Sequence, residues 1–359
     1  MKNKRTFLIS GGGTGGHIFP AIAIGKALQL KYPESTIEFV GAKDKMEMQK
    51  VPEAGFKIHG LWISGIDRKL SLKNFSFPFK LLSSLWKSYK IIKKIKPSAV
   101  IGVGGFASGP LLYVANVLGI PTLVQEQNSY PGITNKLLSK KADKICVAFD
   151  NMERFFPKEK IVITGNPIRQ ELLNSNKTVE QAREHFGLIN ESTVLIIGGS
   201  LGARTINQAI AKDLKLFEQK GIQVIWQTGK SYSEKHSVYG IQTTFIKEMD
   251  LAYQAADLII SRAGASSLSE LSALGKASIL VPSPNVTEDH QTKNAMAMVE
   301  KDAAEIIRDH EALEKLVSFA LQLIDDKNRI EFLQSNAKLL GKTNATELIV
   351  QEIECLISQ

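Results

Sequence analysis

The chemistry-bearing residues of this chain lie where apolar runs end. His17 closes "GGGTGGH", Gly11 to His17, directly after the apolar "TFLIS". Two further segments share the design: "GVGGFASGP", Gly102 to Pro110, and "GGSLGAR", Gly198 to Arg204. Glycine lets a backbone approach a ligand closely and adopt positive φ. A helix that follows presents unpaired N–H groups and a partial positive charge, so a diphosphate is the natural guest. A lone loop of this kind is often no more than a tight strand-to-helix turn; three of them point to a ligand cleft. Gly11, Gly13 and Gly16 also match the G-x-G-x-x-G dinucleotide pattern. That reading wants an acid closing the second strand, and here "FVGAKD" puts Asp44 beyond a glycine and a lysine, which disfavours a nicotinamide oxidoreductase.

The second half holds the richest segment, "LIISRAGASSLSELSAL". Gly264, Ala265, Ser266 and Ser267 are small enough to bring backbone N–H groups and two hydroxyls against an anion at a helix start. Glu270 follows in that helix, where it accepts hydrogen bonds from a ribose diol or only complements the dipole. In "NVTEDHQTKNA", Asp289, His290, Gln291 and Asn294 offer amide and carboxyl partners for a sugar beyond a strand end, or a polar loop with Asp289 as its cap.

These loops need strands to place them. The runs "TFLISGGG", "IEFVGA", "SAVIGVGG", "TVLIIGGS" and "ASILVP" alternate with helical patterns such as "PAIAIGKALQLKY" and "TINQAIAKDLKLFEQK". The alternation predicts α/β architecture with buried parallel strands. The series restarts near Thr193, and Gly165 to Arg169 punctuates the two halves, so two similar α/β domains are expected within the 359 residues. Cys146 and Cys355 are the only cysteines, which argues for a reducing compartment. The start "MKNKRTFLIS" is too short in apolar residues for a secretory signal, and no run of about 18 apolar residues occurs.

The net charge of +9 is local. Arg68, Lys69, Lys73, Lys80, Lys87, Lys90, Lys93, Lys94 and Lys96 form a window without an acid that carries the whole excess. One sticky patch is expected rather than a broad nucleic-acid surface. Leu72, Phe75, Phe77, Phe79, Leu82 and Trp86 interleave with these lysines, a composition suited to a headgroup region, or to an amphipathic helix packed on the core.

Taken in order, "GGTGGH", "GVGGFASGP", "EQN", "GNPIR", "GGSLGAR", "SRAGASSLSE" and "DHQTKNA" resemble the bacterial peptidoglycan glycosyltransferases that add N-acetylglucosamine to lipid I, over Gly12 to Ala295. The resemblance implies a GT-B fold: two Rossmann-like parallel-sheet domains facing across a cleft. Residues 1–166 would be the acceptor and membrane-associating domain, with a last helix at 344–359 returning to it, and 167–343 the UDP-sugar domain. It implies transfer of N-acetylglucosamine from UDP-N-acetylglucosamine to the 4-hydroxyl of muramoyl-pentapeptide diphosphoundecaprenol, giving lipid II for peptidoglycan, and hence for cell shape and division. Donor contacts carried over by motif are Thr14, Gly15, Gly16, Asn128, Arg169, Ser200, Ile246, the run Ala265, Ser266, Ser267, Leu268, Ser269 and Glu270, and Gln291. Arg169 and Ser200 suit a diphosphate, Asn128 and Gln291 a sugar, and the Ile246 backbone a uracil. Gly104 and Gly105, with Leu72, Phe75, Phe79 and Trp86, fall to the acceptor and membrane side. Gln125 departs from the pattern, where a histidine is expected before "EQN".

An inverting transfer needs a base and a stabilised leaving group. No D-x-D occurs, so the helix start near Ser266, with Arg169, would take the diphosphate charge without metal or other cofactor. His17 and Glu126 are the candidate bases, worth ~10²–10⁴-fold; alternatively His17 only fixes its loop. The lipid acceptor favours an anionic membrane surface as partner, at the cytoplasmic face of the bacterial inner membrane, with cell-wall synthesis proteins as the further partners such an enzyme would have. Competing readings are a GT-B enzyme with another lipid acceptor such as diacylglycerol, a UDP-N-acetylglucosamine 2-epimerase, and a non-catalytic membrane scaffold.

Overall fold

A computed structural model describes residues 5–65, 75–174 and 176–358. The chain divides into two compact units, Met1–Ile168 with Asn344–Gln359, and Arg169–Thr343.

The first unit is built on seven parallel strands: β1 (Thr6–Ser10), β2 (Thr36–Ala42), β3 (Lys57–Leu61), β4 (Ala99–Gly102), β5 (Thr122–Glu126), β6 (Lys144–Val147) and β7 (Ile161–Ile163). Their order is β3-β2-β1-β4-β5-β6-β7. The second unit has six: β8 (Thr193–Ile197), β9 (Gln223–Gln227), β10 (Gly240–Thr243), β11 (Leu258–Ser261), β12 (Ser278–Leu280) and β13 (Glu305–Ile306), ordered β10-β9-β8-β11-β12-β13. Both are the doubly wound, Rossmann-like arrangement, in which chain order reverses between two central strands and leaves a crevice beyond their carboxyl ends. The reversal lies between β1 and β4 in one sheet and between β8 and β11 in the other. The three glycine loops follow β1, β4 and β8, and the small-residue turn at Gly264 follows β11.

Central strands are buried on both faces, which is why they read as unbroken apolar runs: Phe7, Leu8 and Ile9 in β1, and Val194, Leu195 and Ile196 in β8, are all buried. The last helix, Ala345–Ile357, belongs to the first unit. Ile349, Val350, Ile353 and Leu356 sit on one helical face and join the core around Phe7 and Ile101. Burying each contributes ~1.5–3 kcal/mol. Lys31 Nζ and Tyr32 Oη both donate to Glu354 at the surface of that contact.

The helix Phe77–Ile95 carries Lys80, Lys87, Lys90, Lys93 and Lys94 of the basic window. Phe77, Leu81 and Leu85 pack on the core, together with buried Ile91 and Ile92. Phe79, Leu82 and Trp86, spaced three and four apart, face out, as does Phe75 in the turn before. Phe77 is thus a core anchor rather than a surface aromatic. Lys90 Nζ lies 5.0 Å from the Trp86 ring centre. Leu72, like Arg68, Lys69 and Lys73, lies outside the described residues.

Candidate active site

In the first unit, two glycine loops touch at the sheet's reversal point. Gly104 (φ 95°) and Gly105 (φ 89°) stand against the loop that follows β1. A Cβ on Gly105 would come within 2.4 Å of the Gly12 carbonyl oxygen, and one on Gly104 within 2.8 Å of His17 Nε2. Only glycine permits this approach. His17 is in the first turn of helix Gly15–Lys31, and its Nδ1 lies 3.0 Å from the Gly12 carbonyl oxygen and 3.3 Å from Thr14 Oγ1. The loop is held from below by Glu47, which accepts the Gly13 N–H at 3.0 Å. Nothing in the motifs singled out Glu47; the one local signal is an acid opening the helix just after β2.

Glu126 is buried at the end of β5. Its Oε1 accepts the Asn128 N–H at 2.9 Å and the Asn128 amide at 3.0 Å; Oε2 accepts the Asn135 amide at 2.8 Å and the Gly132 N–H at 3.2 Å. A carboxylate so engaged shapes the loop and orients Asn128. Gln125 is fully buried too, donating to Asn166 Oδ1 at 2.9 Å and accepting from Gln127. The position where a histidine was expected thus belongs to an interior amide network.

In the second unit the loop after β8 is also glycine-dependent: a Cβ on Gly202 would lie 2.0 Å from the Thr228 carbonyl oxygen. Ser200 is exposed on that loop. Gln227, a residue the motifs did not single out, donates to the Gly199 carbonyl at 3.2 Å and accepts the Ile246 N–H at 2.9 Å. It ties the β8 loop to Ile246, and a backbone contact from Ile246 to a base falls to its carbonyl oxygen.

After β11, the helix Ala265–Leu274 starts at Gly264 with no side-chain cap. Ser266 Oγ is buried there without a hydrogen-bond partner, an unmet polar group at the positive end of a helix dipole. The six-residue run is not uniform. Leu268 is turned into the core and its N–H donates to the Gly264 carbonyl, while the Ser269 hydroxyl donates to the Ala265 carbonyl. Helical geometry sends the first side chain inward and bonds the second back to the preceding turn. Glu270 accepts a fork from Arg169, Nε at 3.0 Å and Nη2 at 3.2 Å, and the Tyr253 hydroxyl at 3.0 Å. Burial and the Glu270 carboxylate hold the Tyr253 phenol well above its ordinary range. Gln291 Oε1 accepts the Ser283 N–H at 2.8 Å, and Asn294 is fully buried. Asp289 Oδ1 accepts the Thr292 hydroxyl at 2.7 Å. Among the described residues, no three His, Cys, Asp or Glu side chains gather in a way that could hold a metal ion.

The glycosyltransferase family 28 N-terminal domain matches residues 7–147, and the C-terminal domain of that family matches residues 193–353. The chain belongs to glycosyltransferase family 28. The N-terminal match spans β1 to β6 of the first sheet, and the C-terminal match spans all six strands of the second. A relative from Christiangramia forsetii is 55% identical over 363 residues, covering 100% of this chain and 99% of its own length. It is named UDP-N-acetylglucosamine–N-acetylmuramyl-(pentapeptide) pyrophosphoryl-undecaprenol N-acetylglucosamine transferase. The crystal structure of Acinetobacter baumannii MurG is similar at a TM-score of 0.76 and 29% identity, covering 98% of this chain and 99% of that one. A UDP-N-acetylglucosamine 2-epimerase structure is similar at 0.63 but only 14% identical, covering 98% and 96%, and so shares the fold alone.

Proposed function

We propose that this family 28 chain transfers N-acetylglucosamine from UDP-N-acetylglucosamine to the 4-hydroxyl of muramoyl-pentapeptide pyrophosphoryl-undecaprenol, with inversion. The observation that carries the reading is the full-length 55% identity to a transferase of that name, which separates it from the epimerase that shares only the fold. The residues support the chemistry. The lone pair of His17 takes the proton of the acceptor hydroxyl as that oxygen attacks the anomeric carbon. The bond from that carbon to the diphosphate breaks, and UDP leaves with its electron pair. The developing phosphate charge meets the start of helix Ala265–Leu274, the Ser266 hydroxyl and Arg169, and requires no metal. Glu126 orients Asn128 instead of acting as base. Ser200, Gly15 and Gly16 offer hydroxyl and backbone contacts, Glu270 the ribose contact, and Gln291 the sugar contact.

The first unit is the acceptor side, lying peripherally on the cytoplasmic face of the inner membrane. Support comes from the exposed stripe of Phe75, Phe79, Leu82 and Trp86 flanked by lysines, since each lysine near an anionic leaflet contributes about 1 kcal/mol. No described helix is long and apolar enough to cross a membrane.

The deciding measurement is UDP release from UDP-N-acetylglucosamine with and without a lipid I analogue. Release only with the analogue, together with a disaccharide product, is the expected result. Release without acceptor, or an epimerised sugar nucleotide, would remove the reading.

A further inference from the structure

Glu47 opens the helix Glu47–Glu53, and its side chain is completely buried. Two glycines make its slot: a Cβ on Gly12 would lie 2.2 Å from Glu47 Oε1, and one on Gly41 would lie 2.5 Å from its Cγ. Oε1 accepts the Ala42 N–H at 3.0 Å, and Oε2 accepts the Gly13 N–H at 3.0 Å. The Gly13 N–H and the Gly12 carbonyl are the two ends of one peptide group. His17 Nδ1 lies 3.0 Å from that carbonyl oxygen. A carbonyl has no proton to give, so this contact is a hydrogen bond only when the proton sits on Nδ1. Thr14 Oγ1, 3.3 Å from the same nitrogen, is then a second acceptor for it. A neutral imidazole with Nδ1–H carries its lone pair on Nε2. A carboxylate drawing on the amide N–H polarises the peptide and makes its carbonyl a stronger acceptor.

We propose that Glu47 is a positioning residue for His17, acting through the Gly12–Gly13 peptide to hold the imidazole as the Nδ1–H tautomer with Nε2 as the proton acceptor. The catalytic consequence rests on the reading of His17 as base; the tautomer does not. Glu47 is therefore more than a packing residue. It sets which imidazole nitrogen carries the proton, much as a carboxylate bonded directly to a histidine does elsewhere.

The test uses the full chain with nitrogen-15-labelled histidine, His17 being assigned by the spectrum of His17→Ala. In the wild type, His17 should show the Nδ1–H tautomer at a pH where it is neutral. Glu47→Gln keeps the volume but turns an amide donor toward one of two N–H groups that need an acceptor. In that variant the Nδ1–H population should fall, and kcat should drop about 10- to 100-fold while KM for the sugar nucleotide changes less than about threefold. A merely structural role would lower the melting temperature and leave the His17 tautomer of the folded protein unchanged, which overturns the proposal. An Nε2–H tautomer in the wild type overturns it without any variant, so a Glu47→Gln protein that fails to fold leaves the proposal falsifiable. A shifted tautomer beside wild-type turnover in His17→Ala upholds the positioning and removes the reading of His17 as base.

Discussion

The Arg169 guanidinium lies as a fork on the Glu270 carboxylate, Nε 3.0 Å from one oxygen and Nη2 3.2 Å from the other. The arginine side chain is 45% exposed and the glutamate 11%. The buried partner therefore anchors the more exposed one. Burial alone would lower the arginine's pKa, but the Glu270 carboxylate outweighs it and holds it above the ordinary range. Sequence motifs gave Arg169 to the diphosphate and Glu270 to the ribose as separate contacts. The pairing couples them, so loss of one misplaces the other.

Arg169→Lys cannot form the fork, and Glu270→Gln removes its charge. Each should weaken UDP binding by about 10- to 100-fold, corresponding to about 1.5–3 kcal/mol. Calorimetric titration with UDP measures this. Unchanged affinity in both variants would detach the pair from donor binding.

The proposed stabilisation of the leaving group by a helix start and an arginine would need no divalent ion. Turnover in excess EDTA should match turnover in added Mg²⁺. A loss in EDTA that Mg²⁺ restores would reject that account of the departing UDP.

Phe75, Phe79 and Trp86 are exposed, so replacing all three by serine should leave the melting temperature near its original value. Co-sedimentation with anionic vesicles should fall steeply, and high salt should weaken the remaining binding by screening the lysines. Undiminished sedimentation of the triple variant would move the membrane face elsewhere.

Lys276 gives a pH-dependence with a definite sign. Burial brings its ammonium down from 10.5 to about 8, against the pull of Asp257, and its Nζ donates to the Ala256 carbonyl. Below pH 8 both folded and unfolded chains carry the proton, and the folded state bears the full cost of a buried charge. Between about 8 and 10.5 the unfolded chain holds more protons, so this group makes the fold more stable as pH rises. The full effect is on the order of 3 kcal/mol. Lys276→Met should be more stable at neutral pH and show a flatter urea midpoint between pH 8 and 10.5. An unchanged slope would show that the charge is not buried as described.

The sequence exposed whatever depends on a local backbone demand. β1, β4, β8 and β11 are central and buried, so they had to be continuous apolar runs, and the loops after the first three had to carry glycine at Gly13, Gly104, Gly105 and Gly202. Edge strands β3, β7, β10 and β13 are partly exposed, and left no such mark. Glu126 and Leu268 were legible as motif members but not in their surroundings. Whether a carboxylate meets solvent or four N–H groups, or a helical residue faces a ligand or the core, depends on neighbours that the chain brings in from elsewhere.

By itself, then, the sequence determined the class of fold, the strand-end loops, the family and the basic window. Tertiary structure alone decided the pairings: Glu47 beneath the Gly12–Gly13 peptide 34 residues away, Gln227 between Gly199 and Ile246, and Arg169 on Glu270 across 101 residues. Each joins groups whose spacing along the chain has no period. A hydrogen bond is fixed by distance and direction in space, and the order of strands in the sheet sets both.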